Sequence, residues 1–226
     1  RRGAGAFGAL HHRTNGGTTV LEKDLKRKHD IAPAHGKLGV LIPGIGGAVA
    51  TTFVAGVEAV RRGLAEPIGS LTQMGTIRLG KRNEYRVPRI KDFVPLASLD
   101  DIVFAGWDIY EANGYDAALF AKVLRKEHLD PIRDFLETIQ PMKAVFDRRF
   151  VKNLDGNHIK TGTDLRALTE ALKEDIARFK QEQGIDRCVM IWCGSTEVYL
   201  KAEEPHQSLD AFLRAVEKND PRIAPS

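Results

Sequence analysis

Beyond Lys37 the chain alternates apolar runs of strand length with segments whose apolar residues recur at helical spacing, the habit of a parallel sheet covered by helices. Leu38–Pro43 is an almost unbroken apolar run and predicts the first strand. A helix is predicted from about Val49 to Arg62, because Phe53, Val57 and Val60 share one face and Gly63 suits the position just past a helix end. Ile68–Gln73 predicts a second strand. Between Gly75 and Asp101 the periodicity fails, with Pro88 and Pro95 in the stretch, and the expectation is an excursion that crosses the sheet surface.

Ile102–Ala105 then reads as a short buried strand ending at Gly106-Trp107-Asp108. Helices are expected around Tyr115–Arg125 and Asp130–Thr138, and a strand at Ala144–Phe146 after Pro141. A strongly amphipathic helix is predicted over about Asp164–Gln183: Thr163 serves as N-cap, Leu165, Leu168, Leu172, Ile176 and Phe179 line one face, and Gly184 stops it. Cys188–Trp192 predicts another strand, running into Cys193-Gly194-Ser195-Thr196, and Leu209–Glu217 the last helix. Alternating strands and helices without an internal repeat give an α/β fold, a doubly wound and mainly parallel sheet.

Residues 1–36 lack this patterning. They are rich in Gly, His, Lys and Arg, with one short helical possibility near Val20–Lys28, and read as a flexible basic tail ahead of a folded domain at 37–226. The charge agrees: of a formal net charge of +4, the excess sits in residues 1–37, and the remainder is nearly neutral. A nucleic-acid binder should carry a basic face on its folded domain, so that class is set aside. With 42% apolar and 28% charged residues the chain is of ordinary globular composition. It has neither a bilayer-length apolar run nor a secretory signal, so a cytoplasmic address and no membrane partner are expected. Cys188 and Cys193 read as reduced, buried thiols, and the seven His residues show no metal-ligand spacing, so no metal is expected. A start at Arg1 instead of Met and an end in Asp220-Pro221-Arg222-Ile223-Ala224-Pro225-Ser226 read as a chain cut at both ends.

The sharpest chemistry follows the first strand. Gly44-Ile45-Gly46-Gly47-Ala48 joins a strand to a helix of small residues, a turn that lets backbone amides and the helix dipole meet a pyrophosphate. It is not a Walker loop, and it lacks the full G-x-G-x-x-G spacing. The acidic residue expected some 20 positions on is missing, since the predicted second strand ends in Gln73-Met74. Asp108, at the carboxyl end of a later strand, is a candidate for a ribose contact, with a turn-capping role as the alternative. Cys193 has no neighbouring His to make it a nucleophile.

Together these motifs resemble the myo-inositol-phosphate synthases. The resemblance is carried, in order along about Lys37–Ser226, by Pro43-Gly44-Ile45-Gly46-Gly47-Ala48-Val49-Ala50-Thr51-Thr52, by Gly69-Ser70-Leu71-Thr72-Gln73 with Thr76-Ile77-Arg78-Leu79-Gly80, by Gly106-Trp107-Asp108-Ile109, and by Val189-Met190-Ile191-Trp192-Cys193-Gly194-Ser195-Thr196-Glu197. The Cys-Gly-Ser-Thr form is similar to the bacterial branch, the eukaryotic one having Thr-Ala-Asn-Thr. The resemblance implies a Rossmann-like domain that holds NAD. It also implies conversion of glucose 6-phosphate to 1D-myo-inositol 3-phosphate, for inositol and phospholipid biosynthesis, by oxidation at C5, enolisation, aldol closure and reduction.

By the same resemblance Gly44, Ile45, Gly46, Gly47 and Ala48 lie at the cofactor phosphates, Asp108 contacts the nucleotide, and Gly194 and Thr196 lie along the cofactor. Ala144 and Val145 stand where the eukaryotic branch has a Ser-Ile pair near the cofactor. That branch also has Gly-Gly-Asn-Asn-Gly where this chain has Gly46-Gly47-Ala48-Val49-Ala50, which removes the Asn contacts to phosphate. The catalytic lysines and the second, tetramer-forming domain are expected beyond Ser226, which leaves the sheet incomplete, the isolated chain inactive and the homo-oligomer a property of the complete enzyme. Two further readings stay open: a dinucleotide-binding module without catalysis, and another NAD-dependent oxidoreductase with an external substrate.

Overall fold

A strand that is apolar along both faces belongs in the middle of a sheet, and β1 (Lys37–Pro43) is there. In the computed structural model, which describes residues 35–195 and 197–224, β1 pairs in parallel with β2 (Ile102–Asp108) on one side and β4 (Ile185–Met190) on the other. The two-residue β3 (Met142–Lys143) lies beside the end of β2, so the order is β3-β2-β1-β4, all parallel. Parallel neighbours require helical crossovers. The long ones are α1 (Ala48–Arg61) and α7 (Leu165–Gln183).

Alternation along the strands separates two cores. Val40 and Ile42 of β1 and Phe104 of β2 meet Ala50, Val54 and Ala55 of α1 on one face, together with Tyr115 and Ala118 of α4 (Gly114–Ala121). Leu129 of α5 (Lys126–Leu129) and Leu136 of α6 (Arg133–Leu136) close that core, with Asp130–Ile132 as a 3-10 turn between them. On the other face Leu41, Trp107 and Ile185 pack against Phe179, Leu172 and Ile176 of α7. The last helix, α8 (Leu209–Glu217), joins Leu165 through Ala215. The fold is therefore mixed α/β with an all-parallel sheet, as the patterning predicts, and Rossmann-like, as the resemblance implies.

Several sequence expectations need correction. Ile68–Gln73 is not a strand: Gly69 takes φ 87°, Ile68 is 82% exposed, and the chain forms a single helical turn, α2 (Leu71–Met74). No neighbour covers that apolar run, and a strand needs one. The segment as far as Asp101 does not cross the sheet but folds back on itself, with Ile77 donating to Pro88, Leu79 to Arg86 and Ile90 to Gly75, and a second single turn, α3 (Ile90–Phe93). Arg61 anchors its far end by donating to the carbonyls of Leu99 and Ile102.

The helix expected to reach Arg125 ends at Ala121, because Lys122 turns left-handed at φ 55°. The strand expected at Ala144–Phe146 is β3 instead, and Ala144 makes only an isolated bridge to Ile159. α7 is capped by Asp164, not Thr163: the Asp164 carboxylate accepts the amides of Arg166 and Ala167. Cys188 and Cys193 are free thiols, as expected, but half-buried. The residues of the tail before His35 lie outside the described residues, as does the helical possibility at Val20–Lys28.

Candidate functional site

The glycine turn leaves β1 at the carboxyl edge of the sheet, and its amides are largely spoken for. Gly44 and Ile45 donate to the Trp107 carbonyl at 2.8 and 3.3 Å, and Gly47 donates to Gly44 at 3.0 Å. Gly44 stands at φ 80°, where a Cβ would lie 2.6 Å from the Cys193 carbonyl oxygen, so only glycine fits there. The segment after β4 thus presses backbone against backbone on the turn, secured by Cys193 donating to Pro43 at 3.0 Å.

Gly46 donates to Asp108 Oδ2 at 2.8 Å, and Tyr110 donates to Oδ1 at 3.1 Å. Asp108 is buried and makes both turn-holding contacts that sequence reasoning offered as its alternative role. A carboxylate has about four acceptor positions, so two further hydrogen bonds remain open to it. Because the predicted second strand does not exist, β2 is the neighbour of β1 on that side. Asp108 thus ends the very strand that carries the ribose acid in such sheets. The inserted segment after α1 is what displaces it from the usual spacing.

The anion-binding capacity resides in the helix more than in the turn. Gly47 caps α1 with extended backbone and no side chain, so the first amides of a 14-residue helix point outward without an intrahelical acceptor. They open on a cavity of about 730 Å³, within the range of small-molecule and cofactor sites. Gly44, Gly46, Gly47, Ala48, Asp108, Ala144, Val145 and Gly194 all line it. Ile45 does not: its side chain is in the core and its amide is engaged by Trp107. Thr196 lies outside the described residues.

Sequence reasoning missed two exposed aromatics on the same wall, Tyr110 and Phe120, and the apolar flank that Leu172, Ile176 and Phe212 supply. It also missed Asp175. A carboxylate on the apolar stripe of α7 was a signal available in the sequence. Among the described residues no three of His, Cys, Asp and Glu are grouped so as to hold a metal ion, and no helix is long and apolar enough to cross a membrane.

Comparisons with known proteins place the chain in a family. A family model for the NAD-binding domain of myo-inositol-1-phosphate synthase matches residues 38–226. Inositol-3-phosphate synthase 1 of Bacteroides thetaiotaomicron is 46% identical over 196 residues, 87% of this chain and 45% of that protein. Inositol-3-phosphate synthase 1 of Oryza sativa subsp. japonica is 35% identical over 206 residues, 84% of this chain and 40% of that protein. The crystal structure of inositol-3-phosphate synthase from Caenorhabditis elegans superposes with a TM-score of 0.76 at 27% identity, over 84% of this chain and 40% of that one. The chain spans less than half the length of these relatives.

Proposed function

This chain belongs to the myo-inositol-1-phosphate synthase family, and from that premise we propose that it is the cofactor-holding portion of an inositol-3-phosphate synthase. The protein to which it contributes would isomerise glucose 6-phosphate to myo-inositol 3-phosphate, as a homo-oligomer in the cytoplasm. The observation that carries the reading is the uncapped start of α1 beside Asp108, at the mouth of one cavity between the ends of β1 and β2.

The residues present fit a dinucleotide. The first amides of α1 and its dipole would meet the pyrophosphate, and a Cβ at Gly46 or Gly47 would crowd Asp108 or the Gly44 carbonyl, 3.0 and 3.1 Å away. The remaining acceptor positions of Asp108 would take ribose hydroxyls, and a fixed anion there disfavours an added phosphate. Ala144 carries only a methyl group and Gly194 no side chain, and Val145 adds an apolar surface beside them. We assign Thr196 to the cofactor contacts and the binding domain to residues 37–226. When bound, NAD supplies a hydride acceptor and donor; the chain's own part is to bind it, orient it and keep water from the apolar flank.

Calorimetry with NAD tests the reading. Binding is expected, without turnover of glucose 6-phosphate by this chain alone, since it spans less than half of its relatives. A folded sample with no NAD affinity would defeat the proposal. Stoichiometric NADH release with an external substrate would instead establish a separate oxidoreductase.

A further inference from the structure

Asp175 stands on the buried stripe of α7, in the run that includes Leu168, Leu172, Ile176 and Phe179, and is 4% exposed. A charge removed from water that far requires partners. Its Oδ2 accepts from the Trp107 indole Nε1 at 2.8 Å and from Lys160 Nζ at 2.7 Å, and its Oδ1 from Arg178 Nη2 at 2.5 Å. Burial pushes the Asp175 carboxyl up, but the hydrogen bonds from Lys160, Trp107 and Arg178 together outweigh it and hold the group below the ordinary range.

Two of these partners lead to the candidate site. Trp107 immediately precedes Asp108, and its carbonyl receives the amides of Gly44 and Ile45. The Lys160 amide donates to Ala144 at 2.8 Å; two residues earlier, the His158 amide donates to Ile109 at 3.0 Å, and its Nδ1 lies 3.1 Å from the Asp108 carbonyl. One buried carboxylate thus joins α7 to the strand end that carries Asp108 and to the segment laced onto Ala144. Stability alone gives little reason for it, because well-packed apolar residues in place of a buried ion pair are often neutral or better.

We propose that Asp175 is a positioning residue for the dinucleotide site: through Trp107 and Lys160 it holds Asp108, Ala144 and the glycine turn in register. The role rests on the function proposed above. The test uses Asp175→Asn, and Asp175→Leu combined with Lys160→Met, which removes the buried pair and leaves only Arg178, half exposed to solvent, without its partner. NAD affinity is measured by calorimetry. Amide hydrogen exchange at Gly46 and Tyr110, both held by Asp108, is compared with exchange in β1 as the gauge of global stability.

The folded variants are expected to bind NAD roughly tenfold more weakly, by analogy with the loss of an outer-shell partner at a metal site. Gly46 and Tyr110 should exchange faster while β1 is unchanged. Wild-type affinity and wild-type exchange at Gly46 in the folded double variant would overturn the role, and so would unfolding of both variants, which marks Asp175 as a folding determinant instead. A wild-type chain that does not bind NAD defeats the proposed function, and the exchange comparison still decides the role of Asp175.

Discussion

Gly44 and Asp108 divide the work at the turn: one lets the backbone pass, the other ties it down. Alanine at Gly44 must adopt φ near 80° and push its Cβ against the Cys193 carbonyl. Strain of this kind costs about 1–3 kcal/mol. Gly44→Ala should therefore lower the unfolding free energy by that amount in urea titration, and NAD affinity with it; wild-type values for both would refute the close approach. Asp108→Ala leaves the Gly46 amide without its acceptor, for which about 1–3 kcal/mol is the usual penalty. Asp108→Asn keeps one acceptor oxygen for Gly46 but turns its amide group toward the Tyr110 amide, so it should recover only part of the stability while still binding NAD poorly. If Asn restores binding as well, the charge of Asp108 has no part in recognition.

At the level of elements, each long helix is set by a local device at its start. α1 begins at a bare glycine, which leaves its dipole to an external anion, whereas α7 begins at Asp164, whose carboxylate takes two of its first amides. Removing such a cap costs about 1 kcal/mol. Asp164→Ala should accordingly lower the urea midpoint with the slope unchanged and leave NAD affinity alone, because the cap is spent inside the fold. A change in affinity at constant stability would contradict that separation. The segment between α1 and β2 shows the opposite case: it bonds mainly to itself, and its end is secured by Arg61, which also lies 5.8 and 6.0 Å from the rings of Phe104 and Phe135. The sheet order survives the insertion because β1 and β2 bury their apolar faces together whatever lies between them.

At the scale of the whole molecule, several carboxyls among the described residues are held below their ordinary range by hydrogen-bond donors, most of them cations: Asp130 by Lys126 and the Tyr115 hydroxyl, Asp134 by Arg62, Asp147 by Arg149, and Asp220, at about 2, by Arg222. A carboxyl with a depressed folded pKa contributes stability above its unfolded value, and that contribution is lost as pH falls toward the folded one. The melting temperature should thus be level from about pH 6 to 5 and fall between about pH 4 and 2, because unfolded carboxyls titrate near 4. A melting temperature constant down to pH 2 would rule this out. The periodicity of the sequence determined the α/β class, the central strand and the long helices, because burial of an apolar face needs only the right spacing within a segment. The glycine turn was legible for the same reason: a strand, small residues and a helix follow one another directly. Tertiary structure decided the rest. Ile68–Gln73 is locally strand-like but finds no neighbour, so it is not a strand. The place of Asp108 depends on β2 pairing with β1 across a long insertion, and the link from Asp175 to Trp107 and Lys160 joins residues far apart in the chain. Such contacts carry no local signature, since they arise only when separate elements pack.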